Sequence, residues 1–448
     1  MKRLIGQKSE NENVQKDMEG MMYDVIDDHG YPKILIDDLE LSPDDIYYYI
    51  LEHIKQLCDR RLDCDVSDVV VSVPTRFGIK QREATRTAAK HAGFTSVTLI
   101  NEPTAAFLAH KNLTKTRYND YALAYDFGGG TFDVSIIKIR NGIDTLVCSD
   151  GDCYLGGKDI DNILVKYIQN EMLNKYTHPL NKEDLKKKFD DKTNQKGNLK
   201  HFSRLRSACE EAKQVLSHMD HFTFNFDVYG IDIDIDITKE KFENLIRDLI
   251  TRTIEIVEKC IRTAKLTKDD ITCVIPIGGS CRIPLVIKTL EKFFGKSKIY
   301  SSQNVDTLVG IGTAIYSQYL QGDHKQPMFW DILSHSLGTD VKNNQLSVIL
   351  KRNSQLPTKS TKEYKLLFDD QTEMRITILQ GDNKIASNNY VIGNLVISNF
   401  SKRVNVKTVI HVTYEVDCSG ILKVSAIEFG SDNSKELRID LNSTPIRN

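Results

Sequence analysis

The segment Asp126-Phe127-Gly128-Gly129-Gly130-Thr131-Phe132-Asp133 puts two carboxylates, a hydroxyl and three consecutive glycines into eight residues. Glycine has no Cβ, so its backbone N–H can approach an anion closely, as phosphate chemistry requires. Asp126 and Asp133 flank the turn, where they could hold a cation or orient a water, and Thr131 adds a hydroxyl. A plain glycine-rich hairpin turn is the alternative. Asp126-Phe127-Gly128 also spells the kinase DFG triplet, but no HRD loop or VAIK strand accompanies it.

Ile277-Gly278-Gly279-Ser280-Cys281-Arg282-Ile283-Pro284 follows an apolar strand and precedes a helix, the geometry of an anion site at a helix N-terminus. Close helix–strand packing explains the same glycines. Two such turns in one α/β region say more than either alone. Gly310-Ile311-Gly312 lacks the third glycine of a dinucleotide fingerprint. Gly295-Lys296-Ser297 ends like a P-loop, but Leu290 stands where its first glycine belongs. Glu210 and Lys213 share a helix face, as a surface ion pair would. The histidines show no metal-ligand spacing.

These turns need a scaffold. Asp68–Val73 reads as a strand buried on both faces, Ile79–His91 as a helix stopped by Gly93, Ser96–Ile100 as a strand and Glu102–His110 as a helix. That series predicts α/β architecture with a partly parallel sheet. Tyr121–Asp126 and Phe132–Ile139 are strands on either side of the glycines. Helices follow within Leu155–Tyr176, at Leu205–Leu216 and at Glu240–Ala264. Phe222–Ile237 alternates apolar and acidic residues as one strand with a wet face. Thr272–Ile277 is a strand, and Pro284 opens a helix. Lys182–Lys200 is a solvated, Lys-rich stretch, with Lys186-Lys187-Lys188 as a weak import-signal candidate. His324–Ile332 (HKQPMFWDI) reads as a linker with an apolar patch suited to docking. Beyond it, LSVILKR, MRITILQGD, NLVIS, VIHVTYEVD and ILKVSAIEF predict a β-sandwich.

At 448 residues the chain is long enough for two or three domains. Apolar residues make up 40% and charged residues 27%, which excludes a disordered class. A net charge of −2 argues against an electrostatic grip on nucleic acid or an anionic membrane, and no apolar run is long enough to span a bilayer. The nine cysteines (Cys58, Cys64, Cys148, Cys153, Cys209, Cys260, Cys273, Cys281, Cys418) include no CxxC pair and read as buried free thiols in a reducing compartment. No targeting signal is visible, so the cytoplasm is the default location.

DFGGGTFDVS, NEPTAA, GGSCRIP, LGG with the following DIDN, and the KRLIG opening together resemble the seventy-kilodalton heat-shock chaperones of the DnaK type. LPTK, ILQGD and VTYEVDCSGILKVSA extend the resemblance from Lys2 to about Leu441. It implies an α/β actin-like, two-lobed ATPase over 1–322, a hydrophobic linker over 323–333, and an all-β sandwich that binds peptides over 334–448. It implies ATP/ADP, Mg2+ and K+ as cofactors. As partners it implies unfolded or extended polypeptides, J-domain co-chaperones and nucleotide-exchange factors. ATP opens the sandwich and hydrolysis closes it.

By position, Lys2 resembles the catalytic lysine and Glu102 the carboxylate that works through metal-bound waters. Asp126, Thr131 and Asp133 resemble the cation and water-positioning residues, with Asp126 and Asp133 on the metal. Gly128, Gly129 and Gly130 resemble a phosphate loop. Gly156, Gly157, Glu210, Lys213, Ser217, Gly278, Gly279, Ser280, Arg282 and Asp306 look like the adenosine side. Pro74 and Arg82 resemble an interdomain relay. Tyr364, Met374, Ile376 and Ile410 resemble the apolar wall of a peptide channel.

The chain also departs from the pattern. Its N-terminal phosphate-loop hairpin and its C-terminal helical lid are expected to be missing. Gln214 stands for an adenine-stacking Arg, and Lys158 for an acid. Thr339 and Lys342 take positions that are usually apolar in the channel. Asn343-Asn344 replaces a Gly-Gly turn. An ATP-dependent chaperone is the leading expectation. A catalytically impaired module that engages co-chaperones or peptides without turnover is the alternative. A sugar kinase on the same fold is disfavoured by the linker and the sandwich.

Overall fold

The computed structural model describes residues 1–19, 21, 23–36, 38–114, 120–139, 144–175, 196–228, 231–300, 305–322, 329–366, 371–400, 408–417 and 421–440. Lys186-Lys187-Lys188, Cys418 and the linker segment up to Met328 lie outside these residues.

The first elements are ones that motif reading does not reach. Helix α1 (Glu12–Glu19) is followed by a three-stranded meander, β1 (Val25–Asp28), β2 (Tyr31–Ile36) and β3 (Leu39–Leu41). Helix α2 (Pro43–Leu62) then starts at a capping box. Asp45 N donates to Ser42 Oγ at 3.1 Å, and Ser42 N donates back to the Asp45 carboxylate at 2.8 Å. The Ser-Pro-Asp-Asp string at 42–45 is the signal for it.

Strands β4 (Asp68–Val73) and β5 (Ser96–Asn101) pair in parallel, flanked by α3 (Ile79–His91) and α4 (Glu102–Thr114). The prediction that β4 is buried on both faces is corrected. Among the described residues the β4–β5 sheet has two strands, and most of β4 is half-buried with an exposed start. The central sheet has five strands in the order β11-β6-β7-β8-β12, namely Ile271–Ile277, Tyr121–Phe127, Phe132–Lys138, Asp144–Asp152 and Phe329–Trp330. β11 runs parallel to β6, while β6, β7 and β8 are antiparallel, so the partly parallel expectation holds. On this sheet pack α5 (Gly157–Lys175), α6 (Lys196–Val215), α7 (Lys239–Thr263) and α8 (Pro284–Phe294), around a core that includes Tyr125, Phe127, Phe132, Phe224 and Phe242.

The stretch read as one strand at 222–237 is instead a hairpin of β9 (His221–Val228) and β10 (Ile231–Thr238). Its alternation is genuine, with Phe224, Ile235 and Ile237 buried, but sixteen residues exceed the usual strand length. Helix α9 (Leu308–Gln321) lies so close to α4 that a Cβ at Gly312 would meet the Ala105 carbonyl oxygen at 1.7 Å.

The C-terminal strands form two four-stranded antiparallel sheets. One is ordered β14-β13-β16-β17 (Gln345–Leu350, Leu337–Val341, Glu373–Gln380, Tyr390–Ser398). The other is ordered β15-β18-β19-β20 (Thr358–Lys365, Val409–Val416, Ile421–Glu428, Ser434–Asp440). Ile376, Ile378 and Ile397 of the first sheet share a buried core with Ile410, Val412, Tyr414 and Val424 of the second, as a sandwich requires. The turn after β13 has Asn343 at φ 66° and Asn344 at φ 55°, so this asparagine pair supplies the left-handed geometry of a tight hairpin in place of Gly-Gly.

Phe329 and Trp330 add to β8 as a parallel strand, and the Phe329 ring lies 6.3 Å from that of Phe107. Of the apolar patch expected to dock, Phe329 packs against the buried cluster that holds Phe107. Cys148, Cys209, Cys260 and Cys281 are buried free thiols, whereas Cys58, Cys153 and Cys273 are half-buried and Cys64 is exposed.

Candidate functional site

Three glycine turns from distant parts of the chain pack against one another. The turn between β6 and β7 is closed by Gly128 N donating to Thr131 O at 3.1 Å. The start of α5 fastens onto it, with Gly157 N donating to Gly128 O at 3.0 Å and Lys158 N to Gly129 O at 2.8 Å. Ser280 Oγ donates to the same Gly128 carbonyl at 2.9 Å. The approaches leave no space for side chains. A Cβ at Gly156 would lie 2.7 Å from Gly130 C, and one at Gly278 2.6 Å from Phe127 O. Gly278 also sits at φ 85°, which L side chains resist. By contrast, a Cβ at Gly129 or Gly130 would meet nothing within 4 Å, so these two backbones border open space.

Beyond Gly129 a cavity of about 630 Å³ is lined by Gly129, Gly157, Glu210, Lys213, Ser217, Gly279, Ser280, Arg282 and Asp306, all anticipated from sequence. Gln214, read from sequence as standing for an adenine-stacking Arg, lines it too, while Val215, His218 and Ile283 complete the lining and were not anticipated as site residues. The pairing of Glu210 with Lys213 is corrected. Lys213 Nζ turns inward to Asp161 Oδ1 at 2.7 Å, a partner on α5 that spacing along α6 could not show. Ser217 Oγ donates to Lys213 O at 2.9 Å. Arg282 Nε donates to Asp306 at 3.0 Å across the cavity mouth.

On the other side of the glycines lie the charged residues. Lys2 Nζ meets Glu102 Oε1 at 2.5 Å, with Glu102 fixed at the first position of α4. Burial opposes the charge on Lys2, but Glu102 and then Asp126 outweigh it and hold the ammonium above its ordinary value. Asp126 and Asp133, opposite one another in the β6–β7 ladder, are both buried. Burial, then Glu102 and Asp133, push the Asp126 carboxyl well up. Burial, then Glu102, push Asp133 up to about 7, although Thr131 hydrogen-bonds to it. Asp133 Oδ1 is buried with no hydrogen-bond partner.

This donor set fits a divalent cation. Two buried carboxylates are held at a cost that a cation would remove, and one oxygen is unused. Among the described residues no group of three or more His, Cys, Asp or Glu forms a metal cluster. Asp126 and Asp133 would therefore leave much of the shell to water and phosphate oxygens, as Mg2+ prefers.

Arg3, next to Lys2, is a site residue that the motifs do not mark. It is buried, donating through Nε to Gly130 O at 2.8 Å, with ion pairs to Asp17 at 3.0 Å and Asp159 at 2.6 Å. Lys158, at a position expected to be acidic, pairs with Asp17 at 3.2 Å.

The remaining predicted residues stand apart from this cleft. Pro74 O closes a turn with Phe77 N at 3.1 Å. Arg82 is buried, bonded to Phe77 O at 3.0 Å and to Asn101 Oδ1 at 2.5 Å. Asn101 Nδ2 then reaches Asp331 at 2.8 Å, so Arg82 touches the segment leading to the sandwich through one intermediary. In the sandwich, Ile376 and Ile410 are 1% and 0% exposed inside the inter-sheet core, while Tyr364 and Met374 are half-buried at its margin. Thr339 is buried, and Lys342 is exposed in the hairpin turn.

A mixed sheet whose glycine turns meet buried carboxylates and a lysine around one cleft defines a class of α/β protein built to cradle an anionic, metal-bearing ligand. Comparison with known proteins makes the class specific: the chain belongs to the Hsp70 family, whose model, Hsp70 protein, matches residues 1–447. It is 33% identical to Heat shock 70 kDa protein 2 of Paracoccidioides lutzii, over 98% of this chain and 66% of that one. It is 32% identical to the Heat shock 70 kDa protein of Trichophyton rubrum over the same shares. It is also 32% identical to a ribosome-associated molecular chaperone of Zygosaccharomyces rouxii, over 98% of this chain and 71% of that one. The chain thus spans about two thirds of the length of these relatives. The family's actin-like ATPase and β-sandwich account for an α/β part with several sheets beside an all-β part.

Proposed function

We propose that the protein is an ATP-dependent molecular chaperone that captures and releases extended apolar segments of unfolded polypeptides. Residues 1–322 are its ATPase, 323–333 its linker and 334–448 its peptide-binding sandwich. The observation that carries this reading is the joining of the 630 Å³ cavity to the carboxylate–lysine cluster through Gly128–Gly130. That layout suits a nucleoside at one end and its phosphates at the other.

Bound Mg2+ would supply charge neutralisation at the phosphates, with Asp126 and Asp133 as its protein ligands. Phosphoryl transfer to water depends on positioning and electrostatics more than on covalent chemistry. The open backbones of Gly129 and Gly130 offer N–H donors. Lys2 stands where negative charge develops, and Glu102 and Thr131 orient the water. Gly279, Ser280 and Arg282 with Asp306 border the base and ribose, opposite Glu210, Lys213 and Ser217. Arg82, Asn101 and Asp331 carry the nucleotide state towards the sandwich. K+, J-domain co-chaperones, nucleotide-exchange factors and a cytoplasmic location belong to the same reading.

Gln214 favours a second reading. Its uncharged amide lines the cavity on the exposed face of α6, which suits a module that binds partners with weakened nucleotide affinity and no turnover. Titration of Mg·ATP into the native protein, followed by release of a fluorescent apolar peptide, separates the two. ATP binding with faster peptide release is the expected result. Peptide binding without ATP binding would replace the first reading with the second.

A further inference from the structure

The cleft leaves a second reactive cluster unused. Cys148 on β8 and Cys260 on α7 are 1% and 0% exposed, on elements that pack directly against each other. The two sulfurs are neighbours in one buried cluster, and each acts on the other's proton equilibrium. Burial alone makes thiols inert, but this pair has polar company. Asn353 Nδ2 donates to Cys148 Sγ at 3.4 Å. The neighbouring Arg352 donates to the Ser149 carbonyl at 2.5 Å and reaches Asp150 at 3.3 Å, and Lys259 pairs with Asp150 at 2.9 Å. Asn353 and Arg352 belong to the loop after β14, in the sandwich, so that loop is the cover over Cys148.

We propose that Cys148 and Cys260 are a redox site, closing to a disulfide under a hydroperoxide oxidant when the sandwich loop carrying Arg352 and Asn353 lifts from β8. The chemistry balances. The Cys148 thiolate attacks a peroxide oxygen, the O–O bond breaks, and water leaves with a proton, giving a sulfenic acid. The Cys260 sulfur then attacks Cys148 Sγ, the S–O bond breaks, and a second water leaves. Two thiols are oxidised and one hydrogen peroxide is reduced to two waters. Asn353 donates to Cys148 Sγ, and Arg352 and Lys259 crowd the adjoining Ser149 and Asp150, so the groups around Cys148 favour its thiolate and make it the attacking sulfur. The disulfide would tie β8, the strand that receives Phe329 and Trp330, to α7.

The test uses the whole chain carrying Cys153→Ser, which removes the other thiol of the Cys148 peptide. Hydrogen peroxide treatment, alkylation and peptide mass mapping should give the Cys148 and Cys260 peptides joined and lighter by two hydrogens. Dithiothreitol should reverse the product, and Cys148→Ser should abolish it. Asn353→Ala, verified as folded by circular dichroism, should form it several-fold faster. Both cysteines still alkylating after peroxide, or Cys148 joined to a different cysteine, would overturn the pairing. An unchanged rate in Asn353→Ala would overturn the role of the loop as its cover.

Discussion

Arg3 Nε donates to the carbonyl of Gly130 at 2.8 Å, so the residue next to Lys2 holds the far end of the glycine turn. The same guanidinium joins Asp17 on α1 to Asp159 on α5. It therefore fastens the phosphate-loop candidate to two helices at once. Arg3→Ala should weaken nucleotide binding and leave the buried Asp17 with Lys158 as its remaining partner, at a stability loss on the order of 2 kcal/mol. Arg3→Lys should recover part of the stability but little of the affinity, because an ammonium lacks the planar fork. Calorimetric titration and urea unfolding of both variants check this.

Lys2 and Glu102 face each other at 2.5 Å beside Asp126. If Lys2 acts on charge that develops during transfer, Lys2→Ala should lower turnover by ~10²-fold or more while nucleotide Kd changes by less than about tenfold. Single-turnover hydrolysis measured beside equilibrium binding reads the two effects separately. Equal losses in both would make Lys2 a binding residue only.

Gly278 has φ 85°, and a Cβ there would sit 2.6 Å from Phe127 O. Gly278→Ala should destabilise by about 1 to 3 kcal/mol and push the two glycine turns apart. Thermal unfolding would show the first effect and loss of nucleotide affinity the second. Gly295→Ala is a matched control for strain alone, since it has φ 95° but nothing within 4 Å.

Asn101 Nδ2 to Asp331 at 2.8 Å is the link between the first parallel sheet and the segment entering the sandwich. Asp331→Ala should leave ATP turnover intact. It should remove the acceleration of peptide release by ATP, which a coupling of even 1 kcal/mol makes roughly fivefold. Stopped-flow release of a labelled peptide with and without ATP is the measurement.

His110 is 5% exposed on α4, and burial lowers its imidazole to about 4. The folded protein therefore binds fewer protons than the unfolded chain between that value and the ordinary 6.5. Stability is complete above 6.5 and is lost as pH falls through this window. One pH unit inside it removes about 1.4 kcal/mol. Urea unfolding at neutral and mildly acidic pH should show the loss, and His110→Gln should reduce it.

Local pattern by itself determined much of this protein. The glycine turns, the strands on either side of them and the strand content of the sandwich follow from spacing and residue type, because such turns need residues without Cβ and such strands need alternation. The same spacing left open which partners long side chains choose. Lys213 prefers Asp161 over Glu210, and Arg3 reaches Gly130, Asp17 and Asp159, since ion pairs form across elements whose approach no local pattern encodes. The half-burial of β4 depends likewise on how many strands its sheet has. Tertiary packing decided the cavity lining at Val215 and His218, and the meeting of Cys148, Cys260 and Asn353. Those contacts join residues up to 205 positions apart, and only a folded chain sets them side by side.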